Sequence, residues 1–302
     1  MQEILVKAGC YIAIIVLGYV LRQRGFFGPD AFGTLSKIVL RITLPCAIVS
    51  SSAGRTIDPA LLTVCLIGLG GGVLYMTIGY LVARHGNRGE KAFYVLSLPG
   101  YNIGTFALPF TQNFLGPVGV LTTCIFDVGN AFVCLGGSFG VARAVKEGGK
   151  VDPGRIFKAA LTSIPFMTHV CVVTLNLLHL RVPGPVLTFA EIVGGGNAFL
   201  AMLMLGVGFR LSGDRSKLGI MVKILGIRFS VAAVLALLWY YLLPFDLLVR
   251  QTLVILMFAP FGSAIPVFTR ELGEDEGLSS AINSISIIIS IVIIVTLLTV
   301  ML

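Results

Sequence analysis

Charge is scarce in this sequence: only 12% of its 302 residues are Asp, Glu, Lys or Arg, about half the quarter usual in soluble domains. That scarcity excludes a water-soluble fold, because a chain this size still has to clothe a large surface facing water. Histidine is scarcer still. His85, His169 and His179 fall in different segments, so no HExxH zinc site can be drawn. There is no GxxxxGK[ST] loop to couple movement to ATP. The six Cys, at positions 10, 46, 65, 124, 134 and 171, form no CxxC pair and lie inside apolar runs. They read as small buried hydrophobes rather than disulfides or metal ligands. No enzymatic activity, metal or cofactor is expected.

Apolar residues are abundant: 56% are hydrophobic, 36 are Gly, and the mean hydropathy is +0.97. This is an all-α integral membrane protein by composition. A spanning helix needs about 20 mostly apolar residues, and ten such runs are found, near 4–21, 32–53, 60–83, 92–114, 117–141, 157–179, 185–209, 218–243, 250–269 and 278–302. The opening MQEILVKAGCYIAIIVLGYV has no basic leader or small-residue cleavage site and reads as the first span rather than a signal peptide.

Alternate connections between ten spans lie on opposite faces. Fourteen Lys and Arg, from Arg22 to Arg270, fall on one side, and three, Arg55, Arg181 and Arg250, on the other. This bias puts the rich side in the cytoplasm, as in a cell inner membrane, with both termini outside. It also accounts for the net charge of +8 without nucleic acid. Lys37, Arg41, Lys223 and Arg228 lie inside spans, one to three turns from a cytoplasmic helix start, and are read as snorkelling to the headgroups. Arg41, the deepest by sequence count, is a candidate for holding an anion, and Lys7 snorkels at the outer end.

A linker over 146–155 leaves five spans on each side, in repeats of 1–145 and 156–302. An odd number forces the second half to enter from the opposite face, as an inverted repeat. Span four carries Pro99, Gly104 and Pro109, and span nine carries Pro260, Gly262 and Pro266, offset by 158 for the Gly and 157 for the last Pro. Each proline removes a backbone donor and clashes with the carbonyl four residues before it. Broken helices are tolerated in lipid only where they are buried in protein or face a wet cavity. A pair of Gly/Pro-interrupted spans at matching positions points to a transporter's binding site. The expected contacts there are Asn102, Gly104, Thr105 and Pro109 from span four with Gly262, Ser263 and Pro266 from span nine.

Three polar interior groups accompany them. Asp127 lies about ten residues into its span, roughly 15 Å deep, where a charged Asp costs about 2.5–3.5 kcal/mol. A carboxyl at that depth suits proton or cation coupling, and Asn130 shares its face. Span ten carries Ser279, Asn283, Ser286 and Ser290 as one polar stripe, with Asn283 a site candidate and helix gluing an equal account of the stripe. Glu191 and the following Gly194, Gly195, Gly196 and Asn197 mark either a helix break or close packing at small residues, the second being favoured.

The segments GYNIGTFALPF, FDVGNAF, APFGSAIPVFTRELG and GLSSAINSISIIISIV resemble the auxin efflux carrier family of membrane transporters. The resemblance implies ten spans in two inverted repeats, similar to the sodium/bile-acid symporters, with spans four and nine crossing at their prolines beside the substrate. It implies alternating access of a transport domain against a scaffold of spans one, two, six and seven. It also implies an organic-anion substrate and a homodimer. By position, Asn102, Gly104 and Pro109 match the first crossover and Asp127 and Asn130 the D-x-x-N of span five. Ala264, Ile265 and Pro266 stand where members often carry Asn in span nine, which leaves Ser263 as the polar group there. The expected function is therefore secondary transport of a small organic anion, possible proton coupling included. A sodium-coupled symporter of the bile-acid type is the alternative, with a channel third.

Overall fold

A computed structural model describes residues 2–52, 59–210 and 215–302 of the chain. Arg55, one of the three cations on the poor side, lies outside the described residues, as does the side chain of Arg215. The described residues are all helical or irregular, with no strand. The first half comprises α1 (Gln2–Gln23), α2 (Ala31–Ile38), α3 (Leu44–Ser52), α4 (Thr63–Val82), α5 (Arg88–Ser97), α6 (Leu108–Phe110), α7 (Gly116–Phe132) and α8 (Ser138–Glu147). The second comprises α9 (Pro153–Leu161), α10 (Ile164–Leu177), α11 (Gly184–Gly195), α12 (Asn197–Gly208), α13 (Leu218–Leu242), α14 (Leu247–Met257), α15 (Ile265–Glu271) and α16 (Glu276–Met301).

Among the described residues, seven helical stretches are long and apolar enough to cross a membrane, or eight if the bent pair α9 and α10 forms one span. Ten were read from the sequence, and the difference has a physical origin. The fourth and ninth segments are not single rods. Asn87 caps α5 by accepting from the Glu90 N–H at 2.8 Å, and the helix ends after ten residues just before Pro99. Gly100 follows with φ +86°, a left-handed conformation that favours glycine and cannot continue the helix. The chain turns helical again only at Ile103, in a stretch that runs on to Glu147 and absorbs the fifth segment. In the other half α14 is 11 residues long, residues 258–264 are irregular, and α15 restarts with Pro266 in its first turn, where a missing N–H costs nothing. The sixth segment is bent by 75° between α9 and α10, with Ser163 capping the second piece and Pro165 in its first turn. The linker is irregular over 148–152.

Four wide, π-type turns interrupt the ladders at Val39–Thr43, Ile103–Ala107, Thr111–Leu115 and Val133–Gly137. Such bulges concentrate at functional sites. The core runs along the interruptions, where Tyr75, Tyr94, Tyr101, Phe106, Phe110, Phe126 and Phe261 are fully buried.

Elsewhere glycine lets helices touch backbone to backbone. A Cβ built on Gly68 would lie 2.3 Å from the Phe126 carbonyl oxygen and one on Gly129 only 1.9 Å from that of Cys65, welding α4 to α7. Gly18 meets Leu203, Gly206 meets Ile15, Gly194 meets Ala47 and Gly79 meets Tyr94 in the same way. The Gly194 contact realises the close packing favoured for the seventh segment, where α11 passes to α12 at Gly196. Thr43 donates to buried Asn197 Oδ1 at 3.0 Å beside it, while Glu191 is exposed.

Gly129→Val should lower the melting temperature of the purified protein sharply, because overpacking against backbone costs at least about 1–3 kcal/mol. Gly70→Ala, where a Cβ meets nothing within 4 Å, should be neutral or slightly stabilising by the same thermal assay, since Ala favours the helix by about 1 kcal/mol.

Candidate functional site

The two interrupted segments meet. The Asn102 N–H donates to the Pro260 carbonyl at 2.9 Å, a hydrogen bond directly between the two breaks. Beside it lies a cavity of about 170 Å³ lined by Pro99 to Thr105, Asp127, Asn130, Cys134, Ser163 and Gly262 to Ile265, with Leu40, Leu44 and Leu135 among its apolar walls. Residues from three of the four π-type turns reach it. Two larger clefts, about 630 and 600 Å³, lie elsewhere. The first is largely apolar, between α10 and α11, and the second is lined by exposed residues of the linker region such as Arg143, Lys150 and Lys158. Neither adjoins the backbone crossing.

Asn102, Gly104, Thr105, Gly262, Ser263, Asp127 and Asn130 therefore line one cavity. Asn102 is 5% exposed; its Oδ1 accepts from the Thr105 hydroxyl, while its Nδ2 is buried without a partner. A buried amide nitrogen left unpaired costs roughly 1–3 kcal/mol. Pro109, Pro266 and Asn283 do not line the cavity. The Pro109 carbonyl accepts from Tyr11 Oη at 3.3 Å and Asn113 Nδ2 at 3.0 Å, a packing role. Asn283 sits in α16 with a buried, unpartnered Oδ1. Its stripe faces inward, and Ser286 accepts from the Phe261 N–H at 3.3 Å, tying α16 to the second break.

Asn130 performs the repair that a broken helix needs. Its Oδ1 accepts from the Tyr101 N–H at 3.1 Å and its Nδ2 donates to the Tyr101 carbonyl at 3.0 Å. One amide thus pairs both peptide groups that the break leaves without helical partners. The same Nδ2 donates to Asp127 Oδ1 at 2.8 Å, fixing the carboxylate at the cavity wall, 14% exposed.

Two residues that matter were not identified from the sequence. His169, dismissed there as scattered, is 1% exposed on α10, with Nδ1 at 3.7 Å from Asp127 Oδ2 and no hydrogen-bond partner. An ionisable residue inside a span was the available signal. The second is Arg228, and here the snorkelling reading fails. Lys37, Arg41 and Lys223 are exposed, and Arg41 does not reach the cavity, but Arg228 is only 1% exposed. Its Nη1 donates to the Leu98 carbonyl at 3.0 Å, and its Nη2 to those of Gly100 at 3.2 Å and Ala259 at 3.3 Å. The guanidinium stacks on Tyr75 and Tyr101, 4.3 and 4.1 Å from their ring centres, with Phe261 at 5.3 Å. Unpaired carbonyls and aromatic faces reward turning the charge inward more than the headgroups do.

A multi-pass helical membrane protein whose interrupted spans meet around a polar cavity belongs to the class of membrane transport proteins. Comparison with known proteins agrees. Residues 10–153 match the family described as membrane transport protein, and a protein of Methanothermobacter thermautotrophicus described as an uncharacterized transporter is 25% identical over 290 residues, 93% of each chain. The family matched over residues 10–153 is the auxin efflux carrier family that the motifs of this chain resemble.

Asn130→Ala should lower stability by about 1–3 kcal/mol, because it leaves the Tyr101 N–H unpaired, while the Tyr101 carbonyl keeps the Ile103 N–H at 2.9 Å. Asn283→Ala removes an acceptor that has no partner and should cost much less, as comparative thermal unfolding will register.

Proposed function

We propose that the chain is a secondary active transporter of a small organic anion, working by alternating access across a cell inner membrane with both termini outside. In this reading it has ten spans in two inverted repeats, 1–145 and 156–302 joined by 146–155, and acts as a homodimer. The observation that carries the reading is the backbone bond from Asn102 to Pro260 beside a polar cavity, since it joins the two Gly/Pro-interrupted segments at one place. A carboxylate accepts hydrogen bonds only, and the unpartnered Asn102 Nδ2 is a donor in want of an acceptor. Thr105 and Ser263 complete the polar lining.

Size supports a small anion over a bile acid. The cavity of about 170 Å³ is close to the roughly 150 Å³ that holds a benzene-sized guest, too small for a steroid. Asp127, faced by His169 across 3.7 Å and with Cys134 on the same cavity wall, is the proposed proton carrier. Proton uptake there neutralises a charge that is costly at such depth, and its release restores the charge when the cavity opens to the other side.

Thermal-shift screening across dicarboxylates, aromatic acids and bile acids, with and without sodium and at two pH values, is expected to select a small carboxylate. Asn102→Ala should weaken binding of that anion about tenfold, the loss of one charge-assisted hydrogen bond, without loss of fold. Asp127→Asn should flatten the pH dependence of counterflow in proteoliposomes. Unchanged affinity and an unchanged pH profile would remove both assignments. Sodium-dependent uptake would identify the bile-acid-type symporter, and a nonsaturable current a channel.

A further inference from the structure

A half-helix that ends inside a membrane leaves its last carbonyls unpaired, and the negative pole of its dipole faces the gap. Two such ends converge here, α5 stopping at Ser97 and α14 at Met257. In carriers built from discontinuous helices, C-terminal ends of this kind coordinate the coupling cation. In this chain a side chain already fills the place. One guanidinium serves both ends, reaching Leu98 and Gly100 beyond α5 and Ala259 beyond α14. Its own element is held in turn, because Tyr75 Oη donates to the Arg228 carbonyl at 2.8 Å. Among the described residues Arg228 makes no ion pair with a carboxylate, so its charge is committed to carbonyl oxygens and aromatic faces.

We propose that Arg228 is a tethered coupling cation. It permanently occupies the space between the two half-helix ends that an exchangeable sodium ion takes in a cation-coupled carrier, so the crossing neither needs nor admits sodium there. Its relevance to transport rests on the carrier reading above, but the cation site itself rests on geometry. Shortening the side chain exposes three carbonyl oxygens, a donor set suited to a monovalent cation or a guanidinium ion.

The test is thermal unfolding of the purified full chain in detergent at constant ionic strength, with choline chloride exchanged for sodium chloride. Guanidinium chloride is then added at about 10 mM, far below the molar range in which it denatures. The wild type should melt at the same temperature in sodium and in choline. Arg228→Ala should melt lower by about 5 °C or more, as expected for stripping the partner from several buried groups. Guanidinium or sodium should then raise its melting temperature saturably at concentrations that leave the wild type unmoved. Arg228→Lys, which keeps the charge but has one nitrogen to share among three carbonyls, should fall between the two. The proposal is overturned if sodium saturably stabilises the wild type, if Arg228→Ala melts like the wild type, or if no cation rescues it. Should Arg228→Ala fail to accumulate folded, the wild-type sodium titration and Arg228→Lys decide by the same criteria. This readout uses no transported substrate, so its failure leaves the carrier reading standing, and a failed anion screen leaves this site standing.

Discussion

The cost of stopping a helix in the middle of a membrane governs this molecule. Water cannot satisfy the exposed peptide groups there, so the protein has to supply every partner itself. Arg228 takes three carbonyls from both breaks, Asn130 takes both peptide groups of Tyr101, and Ser286 takes the Phe261 N–H. The breaks also satisfy one another through Asn102 and Pro260. Each of these partners comes from a different helix, which turns a local defect into a junction of α7, α13 and α16 with the two interrupted segments.

That junction explains why the small cavity is polar on one side and closed on the other. On the closed side the Tyr101 ring carries Arg228 on its face and meets Phe126 edge to face, and Arg228 does not line the cavity. On the open side the same stretch of backbone presents Asn102, Gly104 and Thr105, with Asp127 held by Asn130 facing His169. The carboxylate thus lines the cavity while the cation does not.

The breaks were legible because Pro and Gly act locally. Pro99 with Gly100, and Pro260 with Gly262, mark where the two helices end, although the offsets of 158 and 157 come from Gly104 with Gly262 and Pro109 with Pro266, and Pro109 lies inside a helical stretch. Asp127 with Asn130 was legible for a similar reason, since a separation of three fixes a shared face. Arg228 was not, because counting residues from a helix end gives depth and says nothing of azimuth. Only the neighbouring carbonyls, distant in sequence, decide which way the side chain turns. His169 was missed on the same ground: its partner lies on another helix, and the bend at Thr162–Ser163 that aims α10 has no periodic signature. The count of spans differed because half-helices of ten and 11 residues are too short to qualify as crossings by themselves.

The glycine contacts have a mechanical consequence. Among the described residues, the close backbone approaches at glycine join α1 to α12 and α11 to α3 in one set, and α4 to both α5 and α7 in another, with no such approach between the sets. Between the sets, Gly104 rests against a methyl group of Leu44 instead. Each set is stiff, because no side chain intervenes to absorb a shift, whereas the seam between them is lubricated by groups that can swap rotamers. A side chain added at Gly104 would therefore meet the Leu44 methyl groups, which can yield by a change of rotamer, before it met any peptide group.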